Sequence, residues 1–367
     1  MTLLMPRLDL THLAYAFGRL AGATCFSSPE IRKVAALATV SDAWRAYRRD
    51  AGAGDVGPAH QASADSMSIL LTDDPRRDAV LLWLADHGVP AIAAPAATLA
   101  RMVDATRRFA SDELALLDTA RIALFAASTT GPLAIALGLA GLDADHSLQS
   151  IAPAVGAVDI LFDHPNFAEH QGHDAMLDLP GGPMHRHVTA PPSGCWALNL
   201  ALLSHNAGVM AGLEGQLPRA VFRLDLTVQE RAEALVKHCE HTARGGFDRL
   251  TLINRRCVRG IEALAGLSRN ARAREAWALV VAVGPLRRIQ LARALDLSRA
   301  GADIQAHALA RARLVTLVAG GRIQPTQREL IVEQPAILDD GPLALATAAL
   351  DASMADIDRL LERSTRV

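Results

Sequence analysis

Apolar residues recur at helical spacing over most of this chain, with glycine and proline punctuating the runs. In "SSPEIRKVAALATVSDAWRAYRR" Ser28 can cap a helix, Pro29 takes the first helical position and Glu30 lies in the acid-favouring first turn. "DDPRRDAVLLWLADHG" repeats the device with Asp74, Pro75 and a stop at Gly88. Thr227 and Glu230 have capping-box spacing at the head of a helix that Gly245 and Gly246 are expected to close. Further helices are predicted in "FDRLTLINRRCVRGIEALAGL" and "SRNARAREAWALVVAVG". The run Ile122 to Leu142 has the length of a membrane span, but Ser128-Thr129-Thr130-Gly131-Pro132 interrupts it and no aromatic or basic belt flanks both ends. It reads as two short buried helices joined at Gly131-Pro132.

Between about 150 and 225 the periodicity lapses into "FDHPNFAEHQGHDAMLDLPGGPMHRHVTAPPSGCW". Long irregular stretches of this kind are usually functional or disordered. The pattern divides the chain into a helical region at 1–149, a His/Gly/Pro-rich segment at 150–225, a helical linker and basic module at 226–335, and an amphipathic helix at 336–367. In the last of these Leu350, Met354, Ile357 and Leu361 share one face, suited to packing on the chain's own body or to self-association through 343–361.

Composition sharpens the helical reading. The chain has 367 residues, 50% of them hydrophobic, enough for one large core or two moderate ones. Aromatics are scarce while Ala, Leu and Arg abound, residues that lose little rotamer freedom in a helix. Lys33 and Lys237 are the only lysines, so nearly all positive charge is guanidinium, the group suited to bidentate phosphate or carboxylate contacts. Cys25, Cys195, Cys239 and Cys257 are widely spaced without a CxxC pair, and "MTLLMPRLDLTHLAYAFGRL" lacks the apolar core of a signal peptide. A cytoplasmic location without membrane association is the expectation.

One stretch, "PLRRIQLARALDLSRAGADIQAHALARARLVTLVAGGRIQP", carries a more specific pattern. Leu286 to Leu295 is predicted as a helix with Ile289, Leu291, Ala292 and Leu295 inward. Asp296-Leu297-Ser298 is the turn, and Ser298 can cap a second helix running to about Arg313. Leu297, Ile304, Leu309 and Leu314 are the expected core anchors. "LVTLVAGGRIQP" reads as two short strands around Ala319-Gly320-Gly321.

With Leu297-Ser298 opening the second helix and Arg313-Leu314-Val315 closing it, residues 280 to 325 resemble the winged helix-turn-helix modules of bacterial DNA-binding regulators. The predicted fold class is therefore mainly α: a multi-helical N-terminal domain, an irregular centre, and a C-terminal winged helix-turn-helix with a short β-hairpin. Charge agrees with the resemblance. From Arg255 to Arg322 thirteen arginines face four acids, a segment charge of +9 in a chain of −2, which leaves −11 for the remainder.

The resemblance implies double-stranded DNA as partner and puts the start of the second helix against base edges. That start is Arg299, Ala300, Gly301 and Asp303, so direct readout is thin. Arg299 can pair with guanine, and Gln305 and His307 can reach an adenine or a phosphate. Arg287, Arg288, Arg293, Arg311, Arg313 and Arg322, with Ser298 at the cap, are the expected backbone anchors. A dimer would then read half-sites about 10 to 10.5 base pairs apart.

Eight of the thirteen histidines lie between His164 and His241. His164, His170, His173, His185 and His187 are the candidate zinc ligands, with Asp163, Glu169 or Asp174 as a base, although their spacing matches no metal signature. No P-loop, GxGxxG or GxSxG occurs, and no cofactor is expected. A DNA-binding role in transcription control or mobile-element maintenance is favoured over a metal-dependent hydrolase and over a protein-interaction adaptor.

Overall fold

Local capping signals become helix boundaries. α1 (Thr11–Phe26) ends before Ser27, and Ser28 Oγ then accepts the Ile31 N–H at 3.3 Å to open α2 (Pro29–Ala51) with Pro29 and Glu30 in its first turn. α3 (Ala79–His87) stops before Gly88, as expected, and α4 (Pro90–Val103) closes on Asp104 in the left-handed region at φ 57°. α5 (Ser111–Ala126), α6 (Pro132–Ala136) and α7 (Ala152–Leu161) follow. The structure is a computed structural model and describes residues 8, 10–51, 79–106, 108–139, 151–169, 173–179, 182–188, 194–205, 217–266, 272–318 and 320–326.

The break at Gly131-Pro132 lies where the sequence placed it, but the helices around it are not wholly buried. Ile122, Phe125 and Ile135 are exposed, while Leu124, Leu133 and Ala134 face inward. The carboxylate of Asp159 on α7 accepts the Leu133 N–H at 2.9 Å and the Ala134 N–H at 3.2 Å, fixing the start of α6. No helix among the described residues is long and apolar enough to cross a membrane.

The centre was expected to be irregular. It instead contains α7, an antiparallel hairpin of β1 (His173–Leu179) and β2 (Gly182–Val188), α8 (Cys195–His205) and a 3-10 turn at Arg219–Phe222. Gly182, at φ 113°, starts β2 in a backbone conformation that glycine tolerates.

α9 (Val228–Ala263) opens with the expected reciprocal cap: Glu230 N–H donates to Thr227 Oγ1 at 3.2 Å, and Thr227 N–H donates to Glu230 Oε2 at 2.8 Å. Gly245 and Gly246 do not close it. The helix runs through both for 36 residues because it packs along α1, and tertiary packing outweighs a glycine cost of about 1 kcal/mol each. Near its end Gly260 lies under the indole of Trp277, where an added Cβ would come 2.1 Å from Cδ1.

Trp277 belongs to α10 (Ala273–Val283), which ends at Gly284. Then come β3 (Leu286–Arg287), α11 (Arg288–Ala294), α12 (Arg299–Arg311), β4 (Val315–Val318) and β5 (Arg322–Pro325). The last strands form a three-stranded antiparallel sheet in the order β3-β5-β4. The chain is thus mainly helical with a small sheet near its C-terminal part, and most of the buried apolar residues among those described, from Leu13 to Ile323, form one cluster. α10 packs on α2 and α11 on α4, which seats this last group of elements on the helical body. Asp42 on α2 reinforces the seat by pairing with Arg249 of α9 and Arg45, and Arg45 also donates to the Val283 carbonyl at 3.2 Å.

Candidate nucleic-acid interface

The turn between α11 and α12 is built by local chemistry. Asp296 adopts φ 49° and lets the Leu297 N–H return to the Ala292 carbonyl at 2.9 Å, a Schellman-type closure of α11. Ser298 Oγ then accepts the Gly301 N–H at 3.0 Å and starts α12. At the far end Arg313, at φ 58°, allows the Leu314 N–H to reach the Leu309 carbonyl at 3.1 Å. Gly320 and Gly321, at φ 78° and 73°, turn β4 back into β5, and the Gly321 carbonyl accepts the Arg288 N–H at 2.9 Å.

Two sequence expectations need correction. Leu286 and Arg287 were read as the start of a helix but form β3, where Leu286 pairs with Ile323 and Arg287 with Arg322 of β5. α11 therefore starts at Arg288, with Gln290 Oε1 accepting the Arg287 N–H at 2.7 Å. Ile289 and Ile304 were read as core residues, and both are exposed. Ala302, Ala306 and Leu309 supply the buried side of α12, and Leu291, Ala292 and Leu295 that of α11.

α12 packs on α10, α11 and β4. Opposite its buried side, Ala300, Ile304, His307 and Arg311 form an exposed ridge at helical spacing, and Arg299 is exposed at the N-terminal end. Arg313 is exposed just beyond α12, and Arg322 is half-buried at the start of β5. Gln305 lies on the flank of α12, away from that ridge, with Oε1 buried and without a hydrogen-bond partner.

Arg287 is half-buried in β3, and the other cations expected to contact DNA fall into two groups. Arg288 Nη1 lies 2.9 Å from Asp303 Oδ1, and Arg293 Nη2 lies 2.9 Å from Asp104 Oδ2 at the end of α4. Arg299, Arg311, Arg313 and Arg322 form no ion pair among the described residues. Asp303, the acid that would repel a phosphate from α12, is thus already balanced by a cation from α11.

His164 Nδ1 accepts the Asn166 N–H at 3.3 Å and its ring meets Phe167 edge-on, while Asp163 is exposed nearby. Glu169 is buried, pairs with Arg219 and retains one oxygen without a hydrogen bond. The β1–β2 register sets Asp174 opposite His187 and Met176 opposite His185, whereas His173 pairs with Val188. His170 lies outside the described residues, as do 336–367 and the stretch 343–361 considered for self-association. Among the described residues no three His, Cys, Asp or Glu side chains are grouped so as to hold a metal ion.

No protein-family model, curated protein or solved structure matches the chain. The site therefore stands on its own residues. Sequence reasoning missed Ile304 as a surface residue, although its spacing from Ala300, His307 and Arg311 was a signal for one shared face.

Proposed function

We propose that the chain binds double-stranded DNA through a winged helix-turn-helix formed by α10 to β5, with α12 as the helix that enters the major groove and the β4–β5 hairpin as the wing. The single observation that carries this reading is the outward ridge of α12. It is solvent-facing along its length, and Arg299, Arg311 and Arg313 line it or flank it without an internal acid among the described residues. The order helix, strand, helix, helix, hairpin and the sheet order β3-β5-β4 are consistent with such a module. Binding on this reading rests on phosphate contacts from guanidinium groups, with few base contacts. Transcription control or maintenance of a mobile element is the corresponding biological role.

A second reading keeps the same fold as a protein-docking element, and the exposed Ile289, Ile304 and Val318 favour it. Hydrogen exchange of the full chain with and without a random duplex pool at low salt separates the two. The DNA reading expects a duplex-dependent slowing over 299–311 and the hairpin. Absence of a complex, or protection confined to the N-terminal helices, contradicts it.

A further inference from the structure

We propose that Ile304 reads the 5-methyl group of thymine, so that the preferred duplex carries a thymine under the middle of α12. Ile304 has this role only if α12 enters a major groove, the reading proposed above.

Ile304 is 61% exposed near the midpoint of α12, although the helix already fills its buried side with Ala302, Ala306 and Leu309. A lone exposed apolar side chain is ordinary on a protein surface. Here its neighbours make it informative. Ala300 precedes it by one turn on the same ridge, and together the two make a short apolar strip. Arg299 stands at one end of the helix and Arg311 at the other, so the strip lies between cations. Asp303, beside it in sequence, is held by Arg288 at 2.9 Å. A cationic rim favours a polyanion as the occupant over an apolar protein surface.

Duplex DNA offers one apolar group in its major groove. Guanine, adenine and cytosine present donors and acceptors there, and thymine alone adds a methyl. Isoleucine neither donates nor accepts, so against a guanine, adenine or cytosine edge it would strip water from polar atoms without replacing their hydrogen bonds. Against thymine it buries a methyl. His307, one turn further along the ridge, is placed to contact the next base or phosphate.

The test uses the full chain. Sequences are first enriched from a random duplex pool, and the best binder is resynthesised with each thymine replaced singly by deoxyuridine, which removes only the methyl. At least one replacement is expected to weaken binding about fourfold, the factor associated with burying one methyl-sized group. Ile304→Ala should bind thymine and deoxyuridine duplexes equally, with an unchanged melting temperature because the side chain is exposed. Specific binding that is indifferent to every replacement overturns the thymine assignment and leaves the DNA-binding reading intact. So does a difference that persists in Ile304→Ala. Binding without enrichment of any sequence overturns the thymine assignment alone, and if no duplex is bound at any salt concentration, both fall.

Discussion

Arg288 on α11 holds Asp303 on α12 at 2.9 Å, so the one acid on the proposed reading helix is balanced by a cation from its neighbour. Both side chains are partly exposed, and the pair contributes little to folding, about 0–1 kcal/mol. Its expected effect on the proposed DNA binding is larger. Asp303→Asn frees Arg288 for a phosphate, and should tighten nonspecific duplex binding and steepen its salt dependence by about one unit. Arg288→Ala leaves the acid uncompensated and should weaken binding more than Arg299→Ala does. The double variant should recover part of that loss. Fluorescence anisotropy on the four proteins checks the cycle, and additive effects would separate Asp303 from the interface.

Arg313 is expected to affect stability and the proposed DNA binding with opposite signs. It occupies the left-handed region at φ 58°, where a non-glycine residue costs about 1–2 kcal/mol. Arg313→Gly should relieve part of this strain and raise the melting temperature, while removing one phosphate contact and lowering DNA affinity. Thermal melts and binding isotherms on the same preparation test both signs. Unchanged affinity would take Arg313 out of the contact surface.

Burial raises two thiols of this chain, Cys257 to about 11 and Cys239 further. Desolvation pushes the Cys239 thiol from the ordinary 9.0 up to about 12, whereas Cys25 is exposed. Between those two values the folded state keeps a proton that the unfolded state has lost, so stability falls as pH rises through that window. Below it both states are protonated and the contribution is fully present. Denaturant melts from pH 8.5 upwards should therefore show a decline that Cys239→Ala flattens in part. Native alkylation should modify Cys25 and spare Cys239, and equal labelling of the two would contradict the burial.

Local features of this fold were legible and distant pairings were not. The Ser298 cap, the Thr227 and Glu230 box and the Gly320-Gly321 turn depend on neighbouring residues, and each stands where the sequence placed it. β3 was hidden because its two residues owe their conformation to Ile323 and Arg322, far along the chain. Gly245 and Gly246 looked like a stop because nothing nearby announces that α1 packs against α9. Ile304 was assigned to the core because alanines look neutral in a hydrophobic pattern, yet Ala302 and Ala306 take that side. The partners of Arg288 and Arg293 are likewise tertiary, so charge counting located an arginine-rich segment but not which of its described cations stand unpaired.

The most direct measurement is the salt dependence of duplex binding by the intact chain and by variants with Arg299, Arg311, Arg313 or Arg322 changed singly to Ala. The logarithm of affinity should fall linearly with the logarithm of salt concentration, and each substitution should lower the slope by about one. A slope that none of the four changes, or no binding even at low salt, would contradict a DNA interface on α12 and its hairpin.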